Sequence, residues 1–464
     1  MGKLQVETLV IGSGPGGYVA AIRAAQLGQQ VTIVEKEGIG GVCLNVGCIP
    51  SKALITAGHR YQESLHSEFL GVKATGVELD FSAMQKWKNE KVVKTLTTGV
   101  TALLKKNKIN TIYGHARFTS QTEVIVEHPN GNQVLAFKQA IIATGSRPVE
   151  IKGFPFGERV IDSTGALNLT QLPKKLIIIG GGVIGSELGS AYANLGTQVT
   201  ILEGTAQLLP SFEKDLVKFV AKSMKNKGIV VKTNALAQVA EVTHEGVTVN
   251  YEHNGEKLSE TADYVMVTVG RRPNTDQLDL DKAGISVTDK GLIKVGLDYR
   301  TEVPHILAIG DVVAGLALAH KASYDAKIAA EVLAGKNTQR DYQAMPAICF
   351  TDPEIASTGF TLDEATAKKV SAKAFQFSLQ GNGRALSLNQ NEGFVRLVVD
   401  QRDQTIIGGQ IVGVNASDTI MEITLAVENN LTVEDLALTV HGHPTLSEAV
   451  MDTAELAQGL PIHM

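Results

Sequence analysis

The chain has 464 residues, 44% of them hydrophobic, with a formal net charge of −5 and a pI near 6.2. This length predicts about three domains with large cores, and the slightly acidic balance argues against a nucleic-acid or anionic-membrane partner. Three cysteines are too few for a secreted disulfide framework, and neither a signal-peptide pattern nor an apolar run of about 18 residues is present, so we expect a cytoplasmic protein.

The first 35 residues follow the pattern of a βαβ dinucleotide-binding unit. The pattern predicts a strand, a helix and a second strand over Leu4–Ile11, Tyr18–Leu27 and Val31–Val34. Between the first strand and the helix stand the glycines of a GxGxxG fingerprint, Gly12, Gly14 and Gly17. They suit a tight turn, a close approach of the backbone to a pyrophosphate, and close helix–strand packing, in that order. Glu35 ends the second strand and is placed to hold ribose hydroxyls.

Two cysteines, Cys43 and Cys48, lie five positions apart in the glycine-containing segment Gly40–Lys52. A zinc site would need a second Cys or His cluster at similar spacing, which does not follow. A redox disulfide and two unrelated buried thiols remain open, and the flanking motifs favour the disulfide. Because bridged Cα atoms lie about 4.4–6.8 Å apart, we expect Cys43 in a loop or distorted turn and a helix running on from Cys48.

The next segment is predicted to alternate between a long helix and short strands. Residues Phe81–Lys108 have helical periodicity, short strands are predicted around Thr111–Arg117 and Glu123–Glu127, and a turn at Pro129–Asn132 joins hairpin arms. A buried strand then runs from Ala140 into a glycine turn at Gly145, and the Arg147-Pro148 pair marks a domain boundary.

The fingerprint pattern then repeats. A strand at Lys175–Ile179 is followed by Gly180, Gly182 and Gly185, a helix from about Ser186 to Leu195, and a strand Val199–Leu202. Two fingerprints predict two bound dinucleotides, one a flavin and one a nicotinamide dinucleotide. Glu203 ends the last strand as Glu35 does in the first unit. A carboxylate there accepts from a ribose 2′-hydroxyl and repels a 2′-phosphate, so we predict NAD rather than NADP.

The repeat extends beyond the fingerprints. Residues Asp263–Pro273 resemble Ala140–Pro148, with a strand, a glycine, an arginine and a proline in the same order. The strand Ile306–Asp311 ends in Gly-Asp, where α/β sheets bind ligands. A helix near Ala317–Leu333 is then expected to return the chain to the first domain.

From about Met345 the sequence pattern changes to one that is typical of an α+β domain, without a glycine fingerprint. Strands are predicted at Phe394–Val399 and Thr405–Val414, and helices at Asp418–Glu428 and Leu446–Leu456. This domain carries His443 with Glu448 five residues later, and Thr445 or Ser447 is expected to cap the helix. A carboxylate on one imidazole nitrogen leaves the other free as a base, and a thiol redox enzyme needs one. His441 is the alternative base, without an acid at such a spacing.

Taken together, these motifs resemble the flavin disulfide reductases over nearly the whole chain, and most closely the dihydrolipoamide dehydrogenase family. The resemblance rests on Gly40–Leu54, where Val42 replaces the usual Thr, on Met345–Glu354, and on His443–Glu448. It implies an α/β fold with two Rossmann-like domains and a C-terminal α+β dimerisation domain. The implied boundaries are 1–148 for the FAD domain, 149–275 for the NAD domain, 276–344 for the rest of the FAD domain and 345–464 for the dimerisation domain.

The resemblance also assigns residues to each cofactor. The implied FAD contacts are Gly12, Gly14, Gly17, Glu35, Lys52, Ala116, Gly145, Asp311 and Ala319. The implied NAD contacts are Gly180, Gly182, Gly185, Glu203 and Gly270, and Glu187 is expected to pair with Lys52 beside the flavin ring. Cys349 matches no catalytic position and is interpreted as a core thiol.

The implied reaction is the NAD-dependent oxidation of dihydrolipoamide to lipoamide through a Cys43–Cys48 disulfide and FAD. His443, oriented by Glu448, would take the substrate proton, Cys43 would be attacked, and Cys48 would pass electrons on. The implied partners are a second subunit that shares each active site, and the lipoyl domains and acyltransferase core of 2-oxo acid dehydrogenase or glycine cleavage complexes.

Other functions stay open. A glutathione reductase would prefer NADPH, against which Glu203 argues. A mercuric reductase would have a further cysteine pair near the C-terminus, which the tail Gly459–Met464 lacks. A non-catalytic assembly or binding subunit would lack bound FAD and turnover.

Overall fold

A computed structural model describes residues 3–463, and its first region contains seven strands and five helices. The strands are β1 (Leu4–Ile11), β2 (Val31–Glu35), β3 (Asn110–Tyr113), β4 (His115–Ser120), β5 (Glu123–Glu127), β6 (Gln133–Ile142) and β7 (Ser146–Pro148). The helices are α1 (Pro15–Gln26), α2 (Gly41–Val46), α3 (Cys48–Leu65), α4 (Phe81–Trp87) and α5 (Lys94–Lys106). The first six strands form a sheet of order β3-β2-β1-β6-β5-β4, parallel from β3 to β6.

The second region holds the repeated unit and a separate antiparallel sheet. Its strands are β8 (Val160–Ile161), β9 (Lys175–Ile179), β10 (Gln198–Leu202), β11 (Val230–Lys232), β12 (Ala235–Val242), β13 (Val247–His253), β14 (Glu256–Ala262), β15 (Tyr264–Val267) and β16 (Arg271–Pro273). Its helices are α6 (Ser163–Leu167), α7 (Val183–Asn194) and α8 (Lys214–Asn226). A parallel sheet of order β11-β10-β9-β15-β8 carries the fingerprint, and β12-β13-β14 form the antiparallel sheet.

The chain then returns to the first sheet. Strand β17 (Ile306–Ala308) pairs in parallel with β6, and helix α9 (Ala319–Leu333) packs against α1. The first unit is therefore interrupted in sequence and continuous in space, as the resemblance implied. Where the chain leaves and re-enters this unit, β7 and β16 pair as a two-stranded antiparallel ribbon.

The last region is an antiparallel sheet of order β18-β19-β22-β21-β20 covered by helices, as expected for an α+β domain. Its strands are β18 (Ala347–Cys349), β19 (Glu354–Gly359), β20 (Ala372–Ser378), β21 (Phe394–Asp400) and β22 (Ile406–Gly413). Its helices are α10 (Leu362–Ala367), α11 (Gly383–Ser387), α12 (Ala416–Glu428), α13 (Val433–Leu438) and α14 (Glu448–Gln458). Helix α12 packs on β19 and β22, and α14 packs on β20 and β21.

Two predicted elements differ from the structure. The helix predicted over Phe81–Lys108 is interrupted by a π-helical turn at Lys88–Val93, which separates α4 from α5. The strand predicted at Thr111–Arg117 is divided at Gly114, which has a φ of +146° and no room for a side chain, since a Cβ there would lie 2.6 Å from Glu127 O. Both features depend on contacts with distant segments, which local periodicity does not report.

The segment Gly41–Leu65 is long and apolar enough, by length and composition, to cross a membrane. It is not one straight helix, because it breaks at Gly47 between α2 and α3. Helix α3 packs against α7, and its first residues line a large internal cavity. This is the position of a core helix.

Candidate active site

The first fingerprint forms a backbone cradle that suits a dinucleotide. Gly12 has a φ of +98°, and a Cβ there would lie 2.4 Å from Ala143 O. A Cβ on Gly17 would lie 1.9 Å from Gly12 O, so only glycine lets α1 start this close to β1. A Cβ on Gly14 would meet nothing within 4 Å, because this residue faces a cavity. The open N-terminus of α1 thus directs its free N–H groups at a space that fits a pyrophosphate.

The second fingerprint repeats this geometry. Gly180 has a φ of +99°, a Cβ on Gly185 would lie 2.1 Å from Gly180 O, and Gly182 is open. Gly145 and Gly270 occupy corresponding turns, with φ values of +68° and +137°. The two cradles are alike because the same steric demands recur at the same spacing.

The two acidic residues that follow the fingerprints are held in matching ways. Glu35 accepts hydrogen bonds from Ser13 N at 2.8 Å and from Glu37 N at 2.8 Å, one on each carboxylate oxygen. Glu203 accepts from Gly181 N and Thr205 N, both at 2.7 Å. Glu35 Oε2 also accepts from Ser13 Oγ at 2.6 Å, so Glu35 Oε1 and both oxygens of Glu203 each keep a lone pair for a ribose hydroxyl. Both carboxylates are therefore held in place by backbone N–H groups at the ends of their strands, and a carboxylate so placed accepts from a ribose 2′-hydroxyl and repels a 2′-phosphate.

A cavity of about 690 Å³ lies between the first unit, helix α7 and the start of the last region. Its lining includes these residues assigned to FAD: Gly12, Gly14, Glu35, Lys52, Ala116, Gly145, Asp311 and Ala319. Cys43, Cys48 and Glu187 also line it, so the cysteine pair and the flavin-type cradle share one space. The volume and the open glycine cradle fit FAD. The three glycines of the second fingerprint lie outside this lining, whereas helix α7, which begins among them, contributes Val183, Ile184, Glu187 and Leu188 to it.

The two cysteines are brought together by a helix break. Cys43 lies in α2 and Cys48 is the first residue of α3, as Gly47 separates the two helices. A Cβ on Gly47 would lie 2.8 Å from Val42 O and 3.3 Å from Cys43 Cα, so glycine permits this close approach. The predicted helix start at Cys48 is confirmed. The expected loop or distorted turn at Cys43 is wrong, since Cys43 has a short helix of its own.

The two thiols hydrogen bond to each other, and their pKa values are shifted in opposite directions. The hydrogen bond donated by Cys43 lowers the pKa of Cys48 to about 7, against the opposing effect of burial, and the Lys52 ammonium lowers it further. The same hydrogen bond and burial raise the pKa of Cys43. The position of Cys48 at the N-terminus of α3 also favours a thiolate. The surroundings of Cys48 therefore favour its thiolate, and those of Cys43 its thiol.

Lys52 is held in the cavity wall by two groups. Its Nζ lies 2.7 Å from Glu187 Oε2 and 4.6 Å from the centre of the Phe350 ring. Phe350 N also donates to Glu187 Oε1 at 2.9 Å, so the last region of the chain holds Glu187, the partner of Lys52, in place. The expected Lys52–Glu187 pair is present. Phe350 was missed, although it directly follows Cys349 in a segment that carried the resemblance.

Asp311 is joined to the second region by a short polar chain. Its carboxylate accepts from Ser146 Oγ at 2.6 Å, and Ser146 Oγ accepts from Arg271 Nε at 2.8 Å. Ser146 and Arg271 lie on β7 and β16, so the ribbon between the domains orients a residue assigned to FAD.

His443 and Glu448 form the expected pair. His443 Nδ1 lies 2.9 Å from Glu448 Oε1, and Thr445 N donates to Glu448 Oε2 at 2.7 Å. Burial opposes the shift, but the hydrogen bonds from Thr445 and His443 hold the pKa of Glu448 below its usual value. The expected side-chain cap by Thr445 or Ser447 is wrong, because Ser447 sits at the N-cap with no side-chain hydrogen bond to α14. Instead, the Glu448 side chain accepts a hydrogen bond from the backbone N–H of Thr445 in the preceding loop.

The pair does not lie at the cysteines of its own chain. Neither His443 nor Glu448 belongs to the cavity lining in the described chain, and the His443 side chain is 81% exposed. The base and the thiols of one chain are therefore separate. Cys349 is fully buried, burial raises its pKa, and it packs in the core as interpreted.

Comparison with known proteins shows which family has this architecture. The family described as "Pyridine nucleotide-disulphide oxidoreductase" matches residues 6–326, and the dimerisation domain of that family matches residues 345–454. The chain belongs to the pyridine nucleotide-disulphide oxidoreductase family. As a member of this family it is an oxidoreductase that uses FAD and NAD, and it is a homodimer. The predicted fold class, enzyme class and cofactors are confirmed.

Individual relatives cover nearly the whole chain. A protein named dihydrolipoyl dehydrogenase from Geobacillus stearothermophilus is 56% identical over 99% of this chain and 98% of its own length. Another from Bacillus subtilis is 53% identical with the same coverage. Among solved structures, LpdA from Mycobacterium tuberculosis has a TM-score of 0.91 at 28% identity, covering 97% of this chain and all of that one. The flavoprotein disulfide reductase RclA from Escherichia coli, solved as a Cu(II) complex, has a TM-score of 0.88 at 28% identity, with 98% of this chain and 100% of that chain covered.

Proposed function

We propose that this family member oxidises dihydrolipoamide to lipoamide and reduces NAD⁺ to NADH. The observation that carries the proposal is a pair of cysteines with different pKa values beside a flavin-type cradle. The pKa of Cys43 is raised, that of Cys48 is lowered, and both residues line the cavity. The relatives at 53–56% identity carry the matching name. The roles of the individual residues below are part of the proposal.

The base comes first in the reaction. With Nδ1 turned to Glu448, His443 presents Nε2 to one substrate thiol and takes its proton. The resulting thiolate attacks Cys43 Sγ of the Cys43–Cys48 disulfide, and Cys48 leaves as a thiolate. The second substrate thiol then attacks the mixed disulfide, releases Cys43, and closes the ring of lipoamide. Two electrons remain on the cysteine pair.

The remaining residues hold the products of that exchange. The Lys52 ammonium and the N-terminus of α3 stabilise the Cys48 thiolate, and Glu187 keeps Lys52 in place. FAD, when bound, supplies the two-electron transfer between the cysteine pair and NAD⁺. Glu203 selects the unphosphorylated ribose of that coenzyme.

We also infer that each active site contains residues of both subunits. The support is the exposure of His443 and its separation from the cavity of its own chain. Lipoyl domains and the acyltransferase core of a 2-oxo acid dehydrogenase or glycine cleavage complex are the proposed partners, since they present the dithiol. A redox pair that must be kept in exchange with thiols suits the cytoplasm.

The test is NADH formation by the purified protein with dihydrolipoamide, comparing NAD⁺ and NADP⁺. We expect turnover with NAD⁺ that Cys48→Ser abolishes while FAD stays bound, and that Cys349→Ala, which changes the third cysteine, retains. Turnover only with another disulfide and NADPH would move the function to a glutathione-type reductase. A protein without FAD and without turnover would be a binding subunit.

A further inference from the structure

The loop between α13 and α14 carries two histidines in opposite surroundings. The His443 side chain is 81% exposed, whereas only 5% of the His441 side chain is exposed. Val440, the immediate neighbour of His441, is 95% exposed. The buried ring of His441 is therefore a fixed point in a loop that otherwise lies at the surface.

Both ring nitrogens of His441 have acceptors. Nδ1 lies 2.8 Å from Thr439 O, and Nε2 lies 2.6 Å from Glu422 Oε1 on α12. A carbonyl and a carboxylate only accept, so both ring nitrogens of His441 face hydrogen-bond acceptors. As expected, no acid follows His441 at the spacing of His443 and Glu448, and its carboxylate partner comes instead from another helix. With both nitrogens engaged, His441 is unsuited to take a proton from a substrate.

The other end of the loop is fixed separately. Thr445 N donates to Glu448 Oε2 at 2.7 Å, and Asn382 Nδ2 donates to Thr445 O at 3.0 Å. Gly442, His443 and Pro444 lie between the two anchors. Gly442 contributes little packing, since a Cβ built there would meet its nearest atom at 3.7 Å. The position of His443 therefore depends on both anchors.

We infer that His441 and Glu422 are positioning residues for His443: their half-buried pair ties the loop to α12 and sets where the base stands. The inference rests on the proposed function, in which His443 takes the substrate proton. A base displaced by about 1 Å can lose about 100-fold in rate. The pair itself touches no reacting atom.

The test uses the FAD-loaded homodimer with His441→Ala, Glu422→Gln and the double variant. Glu422→Gln keeps the side-chain volume, so it covers the case in which His441→Ala does not fold. Glu434→Gln, which alters an exposed carboxylate on neighbouring α13, is the matched control. Two reactions are compared, dihydrolipoamide with NAD⁺, which needs the base, and NADH with ferricyanide, which does not. Amide hydrogen exchange of residues 439–447 is measured alongside.

We expect kcat/KM for dihydrolipoamide to fall about tenfold or more, with NADH–ferricyanide turnover unchanged and faster exchange in the loop. The double variant should be no worse than the poorer single variant, because both changes act on the same His441–Glu422 contact. Unchanged loop exchange and unchanged dithiol turnover in both single variants would overturn the inference. Loss of both reactions together would do so as well, since it would indicate general structural damage. If the wild type itself does not oxidise dihydrolipoamide, the proposed function fails, and loop exchange alone decides whether the pair anchors His443.

Discussion

Cys48 differs from Cys43 in what surrounds its sulfur. It receives a hydrogen bond from Cys43, faces Lys52 and begins α3, and these effects together outweigh burial and lower its pKa to about 7. Reduced protein should therefore hold one thiolate at neutral pH. We expect the thiolate absorbance of the reduced protein to titrate with a midpoint near 7.

Replacing Cys43 by Ala should raise that midpoint, because it removes the largest stabilising contact. Cys48→Ser should abolish the low-pH titration altogether. Retention of the midpoint near 7 in Cys48→Ser would assign the thiolate to the other sulfur and reverse the proposed order of attack.

His443 supports a second prediction at this scale. Replacement of His443 by Gln should lower dihydrolipoamide oxidation by about 10²–10⁴-fold, the usual contribution of a positioned general base. NADH–ferricyanide turnover should stay at the wild-type level, because it bypasses the dithiol. An equal loss in both assays would place His443 outside the dithiol step.

The junction between α2 and α3 depends on one glycine. Gly47→Ala would place a Cβ 2.8 Å from Val42 O, so α2 must move and the cysteines must separate. We expect a loss of about 1–3 kcal/mol in stability and slower reduction by dihydrolipoamide. Gly99→Ala on α5 is the control, since its Cβ would meet nothing within 4 Å and should be neutral or stabilising. Equal behaviour of the two variants would argue against a steric role for Gly47.

The π-helical turn begins at Lys88, a fully buried lysine that donates to Leu167 O at the end of α6. Burial lowers its pKa to about 8. Between this value and the ordinary lysine pKa of about 10.5 the unfolded chain binds more protons than the folded one, so stability rises with pH across that window. Lys88→Met should remove this rise in thermal unfolding, while Lys86→Met, at an exposed site on α4, should keep it. An identical pH slope in both variants would contradict the assignment.

Elements built from local spacing were predictable, and contacts between distant segments were not. The fingerprints, Glu35, Glu203 and the helix start at Cys48 follow from spacing, because each involves residues within one βαβ unit or one turn. Phe350, Ser146 and Arg271 reach the cavity only through the packing of separate domains. Glu422 could not be connected to His441 from sequence, since the two are joined by the stacking of α12 against a loop.

At the scale of the whole molecule, the separation of His443 from the cavity of its own chain predicts complementation between subunits. Each homodimer of Cys48→Ser, or of His443→Gln, has two defective sites. A mixed dimer should hold one intact site, made of the wild-type cysteines of one subunit and the wild-type histidine of the other. After random exchange of subunits we expect about a quarter of the wild-type activity.

The control is each variant taken through the same exchange alone, which should stay inactive. If mixing restores nothing although mixed dimers form, each site is built within one chain, and the shared-site proposal fails.

The ribbon of β7 and β16 has a consequence for how such a chain can change. The second domain enters and leaves through neighbouring strands, so the two ends of the inserted segment lie side by side, the geometry in which domain insertion is tolerated. Glu203 and its glycine cradle lie wholly inside that segment, whereas the cysteine pair and the flavin cradle lie outside it. Coenzyme preference is therefore portable on one condition: the exchanged segment carries α7, so it must keep Glu187, which holds Lys52 beside the cysteine pair, if only the nicotinamide used is to change.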